Sequence, residues 1–247
     1  MSEANVRICF SIFHFSWLVA IQIPKYHHNP ELNNPNMSTT PATTTTKQIR
    51  TVQESWTILE SWLKENWPEA SKAINPPISF QDFENLEETL GYPVPDDLRE
   101  SLFIHDGIDD FYTIATVGST NPRTFNGHGG ILHQWKIWDE LLKNGLIEEK
   151  DDTEYDAGVQ PDLWWSRKWI PITHDGSNDH HCLDLTPGEG GTEGQVISVW
   201  HDKDQRSLVS PGGFREFFSD YVQGLIDGTF VYSEKYGGVV DKSKIKR

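Results

Sequence analysis

Cysteine is nearly missing from the 247-residue chain. Cys9 and Cys182 are the only two, too few for a disulfide framework and in keeping with a reducing, cytoplasmic setting. Basic side chains are also short in number, 21 Lys and Arg against 37 Asp and Glu, a formal net charge of −16. A field of that sign repels nucleic-acid and anionic lipid surfaces and attracts basic partners, so the expected ligand is another protein and not nucleic acid. The imbalance is not spread evenly. Residues 1–36 cancel and residues 227–247 carry +2, leaving about −18 on 37–226. The chain also lacks a comfortable membrane span of roughly 20 apolar residues. Its longest apolar run, Ile8–Ile23, has 16 residues, with no basic lead-in or small-residue cleavage site. No Gly-X-Y period, sustained heptad or internal repeat occurs.

Aromatic residues are plentiful. Ten Trp and twelve Phe, within 36% hydrophobic residues, suffice for one sizeable core and exclude global disorder. Residues 1–47 are expected to be flexible or to include a mistaken start, because Met37 opens an ordinary polar N-terminus, MSTTPATTTTK. A cleaved signal and an anchor or additional helix are the alternatives. The folded domain is expected over 48–232, with a short basic tail at 233–247.

Within that domain, Val52, Trp56, Leu59 and Leu63 recur at helical spacing and predict a helix from Thr51 to Ser71. Ser79 three residues before Asp82 predicts a capped start, Phe83, Leu86 and Leu90 a buried face, and Gly91 a stop. A third helix should begin at Pro95-Asp96-Asp97 and stop at Asp106-Gly107. A strand within Phe111–Val117, a glycine-rich loop over Gly118–Gly130 and a helix from Leu132 to Leu142 follow. Residues 147–163 are acidic and patternless, hence an exposed loop. Strands are expected at Trp169–Ile172, His181–Leu185 and Gln195–Trp200, the last two joined as a hairpin through Pro187–Gly194. Phe214, Phe217, Phe218, Tyr221, Val222 and Leu225 give a final helix with a wide apolar face. This order reads as a single α+β domain, with helices packed around an antiparallel or mixed sheet.

Chemistry-bearing residues gather at His174-Asp175-Gly176-Ser177-Asn178-Asp179-His180-His181-Cys182 and at His201-Asp202. They could serve a metal, or a Cys182 thiolate paired with histidine. Yet no pair has the spacing that sets two ligands on one helix face, and neither C-x-x-C, H-E-x-x-H nor G-x-S-x-G occurs. No metal, cofactor or catalytic residue is assigned, and Asp175–Asn178 reads as a turn. The stretch Trp164-Trp165-Ser166-Arg167-Lys168-Trp169 reads either as a binding platform or as the entry to a core strand. Candidate partner-binding residues are Asp175, Gly176, Asn178, Asp179, Trp165, Trp135 and Trp138, the last two also suiting the core.

An ordered set of motifs carries a resemblance. It runs from Trp56-x-x-Leu59-x-x-Trp62-Leu63 through Pro76-Pro77-Ile78-Ser79, Phe83-x-x-Leu86-Glu87-x-x-Leu90-Gly91 and Pro93-x-Pro95-x-Asp97-Leu98-Arg99-x-Ser101-Leu102 to His105-Asp106-Gly107. It continues with Trp169-Ile170-Pro171-Ile172, Asp175-Gly176-x-Asn178-Asp179, Cys182-Leu183-Asp184-Leu185, Gly194-Gln195-Val196-Ile197, Trp200-His201-Asp202, Ser210 and Phe214-x-x-Phe217-Phe218. Over about residues 52–226 this resembles the SUKH superfamily, which groups fungal cell-wall-assembly regulators with bacterial toxin-immunity proteins. The resemblance is strongest to the cell-wall-regulator branch. Asp106 stands where that family usually has Asn. The resemblance implies a sheet surrounded by helices and a non-catalytic role in binding another protein, either a toxin domain or a component of cell-wall synthesis and signalling. The alternative from a different class is a small-molecule-binding or hydrolytic enzyme using the Asp175–Cys182 loop.

Overall fold

The computed structural model describes residues 47–109, 124–147, 154–203 and 205–245. Thr51 begins the first helix with a reciprocal capping box. Its hydroxyl accepts from the Glu54 amide at 3.1 Å, and the Glu54 carboxylate accepts from the Thr51 amide at 2.8 Å. The helix, α1 (Val52–Asn66), buries Val52, Trp56, Leu59 and Leu63 on one face. It does not run to Ser71 as the periodicity suggested. Pro68 cannot donate to a continuing helix, so Trp67 turns out of it and a single turn, α2 (Pro68–Ser71), restarts with proline in its first position.

The second predicted helix is α3 (Phe80–Leu90), capped by the Ser79 hydroxyl and ended by Gly91 at φ +78°. The third is α4 (Asp96–Ile104). The strand expected within Phe111–Val117 lies outside the described residues. Then come β1 (Thr124–Phe125) and α5 (His128–Lys143). Helix α5 starts inside the stretch read as a glycine-rich loop, because Asp106 compensates for two glycines in its first turn. The Asp106 carboxylate accepts from the His128 amide at 2.6 Å and also pairs with the His128 ring. Gly107, at φ +73°, lets the chain pass against Gly127. A Cβ at Gly107 would sit 2.2 Å from the Gly127 nitrogen.

The remaining elements are β2 (Glu154–Tyr155), β3 (Trp169–Pro171), β4 (Thr173–His174), β5 (His180–Asp184), β6 (Gln195–Val199), β7 (Gln205–Ser210), α6 (Gly213–Ile226), β8 (Phe230–Ser233) and β9 (Gly238–Asp241). Five strands form one sheet in the order β2-β7-β6-β5-β3. Only the β2–β7 pair is parallel, so the sheet is mixed and the architecture is α+β. The segment expected as a loop over 147–163 therefore supplies an edge strand, and Val159 within it is buried.

All five residues of β5 are buried, which a strand shows when both faces of its sheet are covered. On one face His181 lies 5.5 Å from the Phe217 ring of α6, and on the other His180 lies 6.2 Å from the Trp138 ring of α5. The predicted hairpin is β5–β6, pinned at its base by the Asp184 carboxylate. That carboxylate accepts from the Trp169 indole, the Thr186 amide and the Gln195 amide group at 3.0, 3.0 and 3.1 Å. Burial pushes the Asp184 carboxyl above its ordinary range despite these donors.

Within residues 233–247, expected as a short basic tail, Gly238–Asp241 form β9. It pairs antiparallel with β8 and buries Val239 and Val240. Among the described residues no helix is long and apolar enough to cross a membrane.

Candidate functional site

The last two turns of α5 carry more apolar surface than the sheet can cover. Trp138 turns inward, where its indole stacks on Trp165 at 5.3 Å and 15° between planes, and Trp165 meets Trp169 edge-on at 5.8 Å. Beside Trp138, Ile137 and Leu141 line a groove that continues over Leu146, Ile147 and Trp164 and ends at Asn178 and His201, with a volume of about 390 Å³. Leu146 is 69% exposed at its rim. The floor is thus aliphatic and indole, and among the described lining residues Asn178 and His201 add one amide and one imidazole.

Both polar groups are held from behind. The turn after β4 is organised by Asp175, whose carboxylate accepts from the Ser177 and Asp179 amides at 2.8 and 3.2 Å. This places Asn178 in the left-handed region at φ +67°, a conformation that asparagine tolerates better than most side chains. Asp179, buried just behind it, accepts from the His201 amide at 2.9 Å and faces the His201 Nδ1 at 2.8 Å. Trp164 is anchored by Arg206, a fully buried residue whose guanidinium carbon lies 4.7 Å from the ring centroid. The same guanidinium donates to the Trp164 carbonyl at 2.7 Å and to the Lys203 and Gln205 carbonyls at 2.8 and 3.0 Å. One cation therefore ties the floor of the groove to the β6–β7 turn that carries His201.

The sequence-predicted residues divide accordingly. Asn178 and Trp138 line the same groove, Trp165 supports its floor, and Asp179 positions its lip. Asp175 and Gly176 lie in the turn behind Asn178 and do not line the groove. The three tryptophans are core side chains and not an open platform, since Trp135, Trp138 and Trp165 are each at most 7% exposed. Trp135 points away from the groove and donates to the Arg167 carbonyl at 3.1 Å. Next to it, burial works to raise the Asp139 carboxyl, but ion pairs with Lys143 and Arg167 outweigh this and hold it below the usual range. Ile137, Leu141, Leu146 and Arg206 carry no site signal in the sequence reading, and Trp164 enters it only as part of the Trp164–Trp169 stretch. For Ile137 and Leu141 the signal lies in the width of the α5 apolar arc, which extends past Trp135, Trp138 and Leu142 to reach them.

The histidine-rich hairpin offers no arrangement of nucleophile and base at the groove. Cys182 is fully buried in the middle of β5, between Pro171 and Ile197 of the neighbouring strands. The His181 ring lies 3.1 Å from the Thr173 hydroxyl and the His180 ring 3.0 Å from the Thr173 carbonyl, both within the core. Asp179, His201 and Asp202 offer ligand atoms within 4.8 Å of one another. Asp179 is already engaged with His201, and this lip is the one place among the described residues where three such groups converge.

Comparison with known proteins agrees with the fold. The family model for the SMI1 / KNR4 family (SUKH-1) matches residues 77–220. The chain is 27% identical over 163 residues to a cell wall biosynthesis/cell cycle regulator of Schizosaccharomyces pombe, covering 62% of this chain and 32% of that protein. It is 23% identical over 204 residues to a glucan synthesis regulatory protein of Neurospora crassa, covering 69% and 38%. To a cell wall assembly regulator of Saccharomyces cerevisiae it is 21% identical over 196 residues, covering 67% and 39%. It therefore spans about a third to two fifths of the length of these curated relatives. These relatives are named as regulators and not as enzymes. The matched segment runs from the Pro77 turn before α3 into α6 and includes the helix, both lips and the buried arginine that build the groove, and on that match the chain belongs to the SMI1/KNR4 (SUKH-1) family.

Proposed function

We propose that this protein is a non-catalytic, cytoplasmic binding module that regulates cell-wall synthesis or its signalling by docking on another protein. The observation that carries this reading is the groove beside α5, an apolar recess whose amide and imidazole lips are fixed by Asp175, Asp179 and Arg206 before any partner arrives. Preorganised recesses with aromatic floors are where interfaces concentrate their binding energy. Among the described residues its lining holds no thiol, hydroxyl, amine or carboxylate, which supports recognition over bond-making. The names of the relatives favour cell-wall regulation over neutralisation of a toxin.

The test is deletion of the gene in its own organism, followed by rescue. The deletion strain should lose wall glucan and grow poorly under wall stress. The intact chain should restore both, whereas Trp164→Ala, produced at equal level, should not. A deletion strain with an ordinary wall would overturn the cell-wall reading. Full rescue by the Trp164 variant would remove the groove from it.

A further inference from the structure

Resting on that protein-binding reading, we infer that the occupant of the α5 groove is a basic-apolar segment of a partner protein, two bulky apolar side chains flanked by Lys or Arg. The apolar half of the recognition follows from the floor. Ile137 and Leu141 lie one helical turn apart, about 6 Å along the axis, and Trp164 closes the far side. Each apolar side chain seated there leaves water for an aliphatic and indole surface, so two anchors can fix a short segment.

The basic half follows from what surrounds the recess. Glu140 on α5 and Asp202 on the β6–β7 turn are exposed and Asp175 is partly so, against an exposed lysine, Lys136, a turn before Glu140. Nearby Lys203 is turned back over Trp200, 4.7 Å from its ring. The chain as a whole carries −16, so a second copy approaching this face meets like charge, whereas a basic segment is drawn in. Asn178 and His201 add hydrogen-bonding groups at the mouth, suited to the main chain of an extended or helical peptide.

A random peptide library displayed against the full chain tests this, with the enriched peptides then titrated by tryptophan fluorescence. The expected peptides carry a pair of aromatic or branched aliphatic residues within about one helical turn and a positive net charge. Their affinity should fall about tenfold or more on Leu146→Glu and again on raising salt to about 0.5 M. Leu146 is mostly exposed, so its replacement reports on the groove and not on folding. Reversing the rim with Asp202→Lys should weaken basic peptides and spare neutral ones.

Enrichment of acidic or uncharged peptides would overturn the proposal, as would peptides indifferent to Leu146→Glu or no enrichment at all. A photo-cross-linker at position 146 that captures a second copy, or residues 8–23 of the same chain, in preference to the peptide would overturn it too. None of these outcomes touches the gene-deletion result, so the two readings fail separately.

Discussion

The two ends of helix α5 solve opposite problems. At its start, the chain folds the His105-Asp106-Gly107 corner onto Gly127 and His128 until backbone touches backbone, and Asp106 occupies the first amide. At its end, the helix leaves Ile137, Leu141 and the following Leu146 beside Trp164 with space over them. The first end is a joint, in which glycine removes side-chain volume to bring α4 and α5 together. The second is a recess, in which the buried Arg206 fixes the Trp164 wall and ties it to the β6–β7 turn. A motif that stands out in the sequence thus marks a joint, and the surface suited to a partner lies where no motif stands out.

The contrast can be broken most forcefully at Gly107. Gly107→Ala would combine a left-handed backbone with a Cβ inside the Gly127 backbone, and should cost about 3 kcal/mol or more. Urea denaturation measures this, and a near-normal midpoint would show that the joint can open. Asp106→Ala should cost about 1–2 kcal/mol by removing the α5 cap, whereas Asp106→Asn should stay within roughly 0.5 kcal/mol because an amide oxygen still caps. Equal losses in the two variants would mean that the carboxylate charge, and not the capping bond, matters.

At the open end, Asp139 provides a pH readout. Its folded carboxyl lies below the usual range, so its contribution is present above the unfolded value and disappears as pH falls through the folded one. Asp139→Asn should flatten that acid-side decline, with an effect near neutral pH of at most about 1 kcal/mol, since Lys143 and Arg167 are more than half exposed. Parallel melting-versus-pH curves for the two proteins would contradict this. The smallest stability change belongs to Leu146→Glu, within about 0.5 kcal/mol. A larger loss would show that the rim is part of the core and not an open surface.

The sequence disclosed best those features whose causes are local. Ser79, Gly91 and the Phe214–Leu225 stripe announced their helices through capping and periodicity, and Asp175-Gly176 announced its turn. Periodicity alone overran Pro68, whose lack of an amide proton outweighs the apolar spacing. Strands β2, β8 and β9 escaped because two- to four-residue segments carry too little alternation to register, and β7 because its inward positions are Arg206, Leu208 and Ser210. Arginine at a fully buried strand position reads as a surface residue until the four carbonyls around it are seen. The tryptophan stripe revealed which side of α5 is apolar but not what covers it. Trp138 stacks on Trp165, more than twenty residues away, while Ile137 lines the groove, and only the tertiary arrangement distinguishes them.

Arg206 makes the recess a sensor of the whole domain's integrity. Its guanidinium gathers carbonyls from the segment before β3 and from the β6–β7 connection, so the pocket wall can assemble only after those distant stretches of chain have converged. Any molecule that fills the recess therefore binds the native state alone, and its binding free energy is added to the stability of the entire sheet. A bound partner should raise the melting temperature with the logarithm of its concentration, and its release should coincide with the unfolding of the sheet.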